Sequence, residues 1–358
     1  MAKEKDTKNN YMVVGCDVGT GNLVVAKINE NNQTEINSIR DMFIYVQDDQ
    51  ISSSEMSNSK LDYITQLDDN GDIEFHAVIG DDALKMANIF NSKINRPMSK
   101  GMLCPSEINA SPIITAMIKN IIGEEVHGGQ VVFSVPSQPV DIEEVSPVSF
   151  HQQMFIQMFK TIGFDEAVPL NEAHSIIFSE CSKENFTALS ASFGAGQVNI
   201  ALSYKGALIF SFSIGRSGDF IDIYSGNATG MIPNKITSIK EKSDMSLINP
   251  IVTSNKKEKI ARQAIVFAYD NLISYVVDLI EEQFKEHADS IDLDESIPFV
   301  IAGGTSLIHG FIEKFTEKFN EIKDFPVEIS EIRHAKEPLS AIAVGCLIYS
   351  QWLQNKKD

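Results

Sequence analysis

Residues 13–27 read VVGCDVGTGNLVVAK: two β-branched apolar runs joined by Asp17-Val18-Gly19-Thr20-Gly21-Asn22, a turn with two glycines and one carboxylate. A two-residue turn of the Asn-Gly kind is sufficient to close a hairpin, so the extra Asp, Thr and Gly need another reason. Backbone N–H groups that converge in a glycine-rich turn make a concave anion site, and glycine lets a phosphate approach the main chain with no Cβ in the way. Asp17, at the end of the first run, would then face the metal that accompanies phosphates, through bound water, because Mg²⁺ keeps much of its hydration shell. Taken alone, the turn also fits a hairpin whose loop simply needs positive φ. No GxxxxGK[ST] segment occurs, which excludes a P-loop NTPase.

Outward from that turn, residues 13–18 and 23–28 are expected as a hairpin and 41–46 as a third strand. QDDQISSSEMSNSK at 47–60 is polar and Ser-rich, an exposed loop within a small insertion at about 41–75. A helix is expected to start at Gly80-Asp81-Asp82, with carboxylates in its first turn and Ala83, Met86, Ala87 and Phe90 at helical spacing. A helix over 113–122, a strand over 130–135 ended by Pro136, and an amphipathic helix over 154–162 continue a β-to-α alternation. A second cycle then opens with strands at 188–193, 198–204 and 207–214, the first two joined by Gly194-Ala195-Gly196-Gln197. Residues 218–256 read as irregular, a second small insertion at about 219–256. A long helix over 257–286, a buried strand running into glycines over 299–306, a helix over 311–319 and a closing helix over 338–353 complete the chain.

At 358 residues the chain exceeds the size at which single cores stop growing, roughly 250–300 residues, so two domains of related α/β plan are expected. Its 43% hydrophobic and 22% charged residues are those of a soluble globular protein, and no run of about 20 apolar residues suggests a membrane span. MAKEKDTKNN at the N-terminus reads as a disordered leader with no signal-peptide pattern. With 30 basic and 49 acidic residues the net charge is −19, which disfavours direct nucleic-acid binding. Cys16, Cys104, Cys181 and Cys346 lie far apart without metal-type spacing and suit a reducing cytoplasm. The histidines are as scattered, and none is expected to bind metal.

Three glycine turns read together carry more weight than one. DVGTGN at 17–22, SFGAGQ at 192–197 and AGGTS at 302–306, in that order and at these separations, resemble the phosphate-1, phosphate-2 and adenosine motifs of the actin, sugar-kinase and heat-shock-chaperone ATPase superfamily. Within it the chain most resembles bacterial actins of the MreB, MamK and ParM type: GCDVGTGNLVVAK looks like their opening, AVIGDDALKMA like their VGDEA segment, and RPMSKGMLCPSE like the stretch that follows. The resemblance spans nearly the whole chain. It implies an α/β actin-like ATPase fold in which two related RNase H-like domains flank a nucleotide cleft, with small peripheral insertions. Domain I would comprise 1–165 and 338–358, and domain II 166–337.

The resemblance also implies roles by position. Nucleotide phosphates would lie between Gly19, Thr20, Gly21 and Asn22 of the first turn and Ser192, Gly194, Ala195, Gly196 and Gln197 of the second, with Asp17 organising Mg²⁺. LNEAHSIIFSE at 170–180 is similar to the NEP or EEP segment, which puts Glu172 where the attacking water is oriented. SIKEK at 238–242 resembles the actin IKEK segment, so Lys240 and Glu241 would contact adenosine, while Gly303, Gly304 and Thr305 seat base and ribose beside an apolar wall at Leu307. Each has a plainer reading: Glu172 as a first-turn dipole carboxylate, Lys240 and Glu241 as a solvated helix face, the AGG turn as a strand end, His174 as packing. One departure stands out. Ser192 occupies the position where the family has Asp, and the lost charge is expected to weaken Mg²⁺ organisation and slow hydrolysis while leaving the backbone cradle for ATP or ADP; restoring Asp there is expected to speed phosphate release.

The function implied is an ATP-binding cytoskeletal protein of the cytoplasm that assembles with itself head to tail into filaments, with an unidentified adaptor, no direct nucleic-acid contact and no transmembrane segment. Filaments of this kind could position organelles, segregate plasmids or shape the cell. The alternatives are a sugar-type kinase, for which no acceptor-side carboxylate stands out, and a chaperone-type ATPase, for which no peptide-binding region follows the closing helix.

Overall fold

The computed structural model describes residues 11–46, 60–68, 70–142, 147–291 and 293–355. The leader at 1–10 and nearly all of the Ser-rich stretch at 47–60 lie outside the described residues. β1 (Met12–Val18) and β2 (Asn22–Ile28) form the hairpin around the opening turn, with Asp17 opposite Val24, and β3 (Thr34–Arg40) extends it antiparallel. β4 (Phe43–Val46), β5 (Tyr63–Leu67) and β6 (Ile73–Ile79) make a separate sheet in the order β4-β6-β5, covered by α1 (Gly80–Phe90) through Ala83, Leu84 and Ala87. A short ribbon, β7 (Met98–Ser99) and β8 (Met102–Leu103), leads to α2 (Ala110–Ile122). β9 (Gly129–Val135) then runs parallel to β1, and after α3 (Val148–Ile162) β10 (Glu166–Asn171) runs parallel to β9. The first large sheet therefore has the order β10-β9-β1-β2-β3. β9, GQVVFSV, is buried throughout, as a parallel strand covered on both faces must be.

The second half repeats the plan. After α4 (Glu172–Glu180), the antiparallel strands β11 (Ala188–Phe193), β12 (Val198–Tyr204) and β13 (Ala207–Ile214) are followed by α5 (Gly218–Thr229), α6 (Pro233–Lys240) and α7 (Lys256–Glu286). β14 (Ile297–Ala302) pairs parallel to β11, and beyond α8 (Phe311–Phe319) β15 (Ile329–His334) pairs parallel to β14. The order is β13-β12-β11-β14-β15, strand for strand the arrangement of the first sheet. The register agrees as well: Ser192 lies opposite Asn199, seven residues on, as Asp17 lies opposite Val24.

Between the sheets sit α4 and the closing helix α9 (Ala341–Asn355), which share a core of Val132, Leu170, Ile176, Ile177, Val300, Ala302, Ile342 and Cys346 with strands of both sheets. The approach is at backbone distance. A Cβ on Gly15 of β1 would overlap the Ala343 carbonyl oxygen of α9, and one on Gly345 of α9 would overlap the Ser175 carbonyl oxygen of α4. Each sheet has its own core on the far side: Phe133, Phe155 and Phe159 with α2 and α3 in the first, and Phe299, Phe311 and Phe315 with α7 and α8 in the second.

Several expectations change. Residues 218–256 are not irregular throughout, since they hold α5 and α6. The buried side of α5 is Gly218, Ile221, Asp222, Ser225 and Gly226, so no apolar stripe marks it, although Pro233 at the first turn of α6 is an ordinary start signal. The third strand of the first sheet is Thr34–Arg40, whose alternating TEINSIR is an edge pattern, while the expected strand at 41–46 opens the small sheet. That insertion reaches past 75 to the end of α1. β10 begins at Glu166 yet belongs to the first sheet, beyond the expected division at 165. Among the described residues α7 alone has the length and composition of a membrane span, but its Ala261, Ile265, Ala268, Leu272, Val276 and Ile280 are buried in the second core and 3% exposed Arg262 lies on the same face.

If the backbone contact of β1 with α9 holds the sheets in place, Gly15→Ala should destabilise the protein by on the order of 3 kcal/mol, because neither carbonyl nor strand can withdraw without opening the shared core. A urea midpoint equal to that of the unsubstituted protein would show that α9 is free to move.

Candidate functional site

The C-terminal ends of β1 and β11 point their following turns at each other across one cavity of about 510 Å³. Both turns close in the same way: the Gly19 N–H donates to the Asn22 carbonyl (3.2 Å) and the Gly194 N–H to the Gln197 carbonyl (3.1 Å). The lining includes every residue singled out from the sequence: Asp17, Gly19, Thr20, Gly21, Asn22, Glu172, Ser192, Gly194, Ala195, Gly196, Gln197, Lys240, Glu241, Gly303, Gly304, Thr305 and Leu307. Residues that are remote in the chain share this space because the two sheets abut at α4 and α9. His174 is not part of the lining; it packs its ring on Phe178.

The second turn is fixed from behind. Its Gly194 carbonyl accepts from the Ser217 hydroxyl (2.5 Å), the Thr305 hydroxyl (2.7 Å) and the Gly218 N–H (3.2 Å), and the Asp219 N–H donates to the Ala195 carbonyl (2.8 Å). The first turn is met by the tip of the β7–β8 ribbon, where the Gly101 N–H donates to Thr20 Oγ1 (2.9 Å). Gly196 sits so close that a Cβ there would lie 2.7 Å from both that nitrogen and that oxygen. Beside it the Gln197 side chain is 3% exposed, and neither its Oε1 nor its Nε2 has a hydrogen-bond partner among the described residues.

Two carboxylates, Asp17 buried and Glu172 half-buried, stand at the strand ends. Asp17 Oδ1 accepts from the Ser134 hydroxyl (2.8 Å). Glu172, first residue of α4, accepts from the Ser192 hydroxyl at Oε1 (2.7 Å) and from Asn199 Nδ2 at Oε2 (3.0 Å). Burial pushes the Asp17 carboxyl well above its usual range, the nearby Glu172 charge adds to this, and the Ser134 bond opposes it. Burial likewise pushes Glu172 up to about 7, against the Ser192 and Asn199 bonds. Ser192 is thus the donor that holds Glu172, a task its position in the sequence did not suggest.

The cations of the lining are all engaged elsewhere. Arg40 holds Glu241 through two nitrogens (2.9 and 2.6 Å) and also Asp81; Arg96 pairs with Asp219 (2.6 Å), Lys240 with Asp222 (2.7 Å) and Lys242 with Glu258 (2.9 Å). The Arg40–Glu241 and Arg96–Asp219 pairs each join two residues of the lining, and Asn88 of α1 shares hydrogen bonds with Asn234 (2.8 Å) and Ser238 (3.0 Å) of α6. Sequence reasoning missed Asn199, Arg40, Arg96, Asp219 and Asp222. The last two are three apart at the start of a helix, a spacing that places both on one face, but the region read as a loop.

Against this geometry the comparisons can be weighed. A family model described as Volactin matches residues 12–350. The chain belongs to the Volactin family. A search of curated proteins finds no match to this Volactin-family chain. Among solved structures, a MamK double helical filament is 15% identical, with a TM-score of 0.67 over 96% of this chain and 99% of that one. MreB 5 of Spiroplasma citri bound to AMPPNP is 14% identical, with a TM-score of 0.66 over 97% and 98% of the two chains. The ethanolamine utilization protein EutJ from Carboxydothermus hydrogenoformans is 14% identical, with a TM-score of 0.55 over 94% and 89%. Likeness at this level of identity speaks to the fold, which is the two-domain actin-like ATPase fold.

The raised Glu172 has a consequence for stability. Between pH 4.5 and about 7 the folded chain keeps a proton that the unfolded chain releases, so stability falls as pH rises through that window and the deficit is complete above it. Glu172→Gln, which cannot ionise, should therefore melt on the order of 3 °C higher than the unsubstituted ligand-free protein at pH 8, with the advantage gone at pH 4.5. An advantage independent of pH would mean that Glu172 is not the group that titrates.

Proposed function

We propose that this Volactin-family chain binds ATP with Mg²⁺ in the cavity between its sheets, hydrolyses it slowly, and polymerises head to tail into cytoplasmic filaments. The observation that carries the nucleotide half is the pair of matched glycine turns facing one another across the cavity, with the buried Gln197 amide of the second turn unpartnered at both ends among the described residues. Such backbone concavities take phosphates, and a buried amide without protein partners calls for a ligand to satisfy it. The solved structures of MreB5 of Spiroplasma citri carry AMPPNP and ADP, which supports the same ligand class here.

The residues fit a magnesium nucleotide. Arg40, Arg96, Lys240 and Lys242 are all committed to carboxylates, so charge for a triphosphate has to come with the ligand, and Mg²⁺ held by one or two carboxylates plus phosphate oxygens is its usual form. Asp17 would hold the metal, mostly through water. When bound, Mg²⁺ would neutralise phosphate charge. Gly19 to Asn22 and Gly194 to Gln197 would cradle the phosphates, Gly303 to Thr305 and Leu307 would seat the base and ribose, and Glu241 would meet the sugar. Lys240, tied to Asp222, would shape the wall beside the base. Glu172 would orient the attacking water, its own orientation set by Ser192 and Asn199.

Filament formation rests on the likeness to the MamK double helical filament and on the general tendency of heterologous contacts that do not close to propagate. Sedimentation with ATP, with and without Mg²⁺, followed by negative-stain microscopy, should show pelleted filaments that depend on nucleotide. A monomer that transfers phosphate to a sugar would overturn this in favour of a kinase.

The structure also changes what to expect of Ser192→Asp. A carboxylate there would replace the donor to Glu172 with a third acidic group beside Asp17 and Glu172, so phosphate release at matched filament mass should be no faster than in the unsubstituted protein. Acceleration across a magnesium titration would restore the view that the missing charge limits turnover.

A further inference from the structure

We propose that Ser134 is a positioning residue for the metal site: it fixes one oxygen of Asp17 and so leaves the other directed at the cavity. The proposal rests on the magnesium-nucleotide reading of Asp17. Ser134 lies on β9, 1% exposed, and is one position beyond Phe133, the residue paired with Cys16 in the parallel ladder. Asp17 and Ser134 are thus neighbours at the ends of adjacent strands, where the ladder opens towards the cavity. The direction of the hydroxyl is not free. The Val18 N–H can only donate, and it donates to Ser134 Oγ (2.9 Å), so the hydroxyl hydrogen is the atom left for Asp17 Oδ1 (2.8 Å). The result is a one-way relay from the backbone of the turn to the carboxylate, with Oδ1 taken and the remaining oxygen the one available to a cation.

The second half of the molecule supplies an internal comparison. By the matching registers and turn closures, Ser192 of β11 occupies the place of Asp17, and its parallel neighbour on β14 is Ala302, paired with it directly. Where the carboxylate is absent, so is the donor beside it. Ser134 therefore goes with Asp17 and is not a feature that this kind of strand end requires for its own folding.

The test measures how far Mg²⁺ tightens ATP binding, by calorimetry on the full chain. Groups that orient a metal-binding side chain usually contribute about 10–100-fold to metal affinity. Ser134→Ala should accordingly cut the Mg²⁺ enhancement by about tenfold while metal-free ATP affinity stays within about threefold, and Ser134→Thr, which keeps the hydroxyl, should restore it. If the alanine variant does not fold, Ser134→Cys, a weaker donor of similar size, should show a smaller loss of the same kind. Asp17→Ala separates the two levels of the argument. Should that variant keep the full Mg²⁺ enhancement, the reading of Asp17 fails; should it lose the enhancement while the folded Ser134 variant, alanine or cysteine, keeps it, the role of Ser134 is overturned and Asp17 stands.

Discussion

Two carboxylates that repel one another, Asp17 buried and Glu172 half-buried, stand where the two sheets meet, and much of the surrounding structure serves to hold them. Asp17 ends a strand and Glu172 begins a helix, so each has a fixed backbone position. Each is also gripped by a serine hydroxyl from a neighbouring strand, Ser134 in one case and Ser192 in the other. Burial of like charges without a cation is unfavourable by several kcal/mol per ion in general. It persists where the scaffold is rigid, and the rigidity comes from α4 and α9, whose glycines and small residues let three backbones meet at near contact. The site and the interdomain core are therefore one construction: a change that loosens α9 from β1 also loosens the strand end that presents Asp17.

The architecture is a repeat, and the repeat is chemically unequal. Both halves offer the same closed turn, but only the first keeps a carboxylate at the strand end, and only the second is braced by hydroxyls on its Gly194 carbonyl. The cavity between the turns is thus lined by matched backbone on both sides but has a strand-end carboxylate on one side only.

Much of this was legible in the sequence, for identifiable reasons. Strands such as 188–193 and 198–204 are mostly apolar and flank a glycine turn, and α8 carries Phe311, Phe315 and Phe319 at helical spacing, so burial and periodicity speak plainly. The residues that line the cavity could be picked out because tight glycine-rich turns after strands leave a visible mark in the sequence. What the sequence hid has a common cause: α5, β3 and β15 carry polar or small residues on surfaces that pair, edge a sheet or face the cavity, and hydrophobic periodicity does not register them. Pairings such as Ser192 with Glu172 or Arg40 with Glu241 link residues 20 and 201 positions apart and exist only once the chain is folded.

Contacts of a particular kind join the α1 side of the cavity to α5 and α6. Among the described residues the apolar cluster under α1 contains Met42, Ile44, Val78, Ala83, Leu84 and Ala87 and takes nothing from α5 or α6; polar contacts join the two sides, among them Arg40 with Glu241, Arg96 with Asp219, Asn88 with Asn234 and Ser238, and Asn91 with Lys235. Arg40 and Glu241 retain 25% and 40% side-chain exposure, so solvent ions reach them. Separating these surfaces wets charges and amides rather than hydrocarbon. A separation of this kind would carry a small heat-capacity change and a marked dependence on ionic strength, set by a Debye length of about 8 Å at physiological salt.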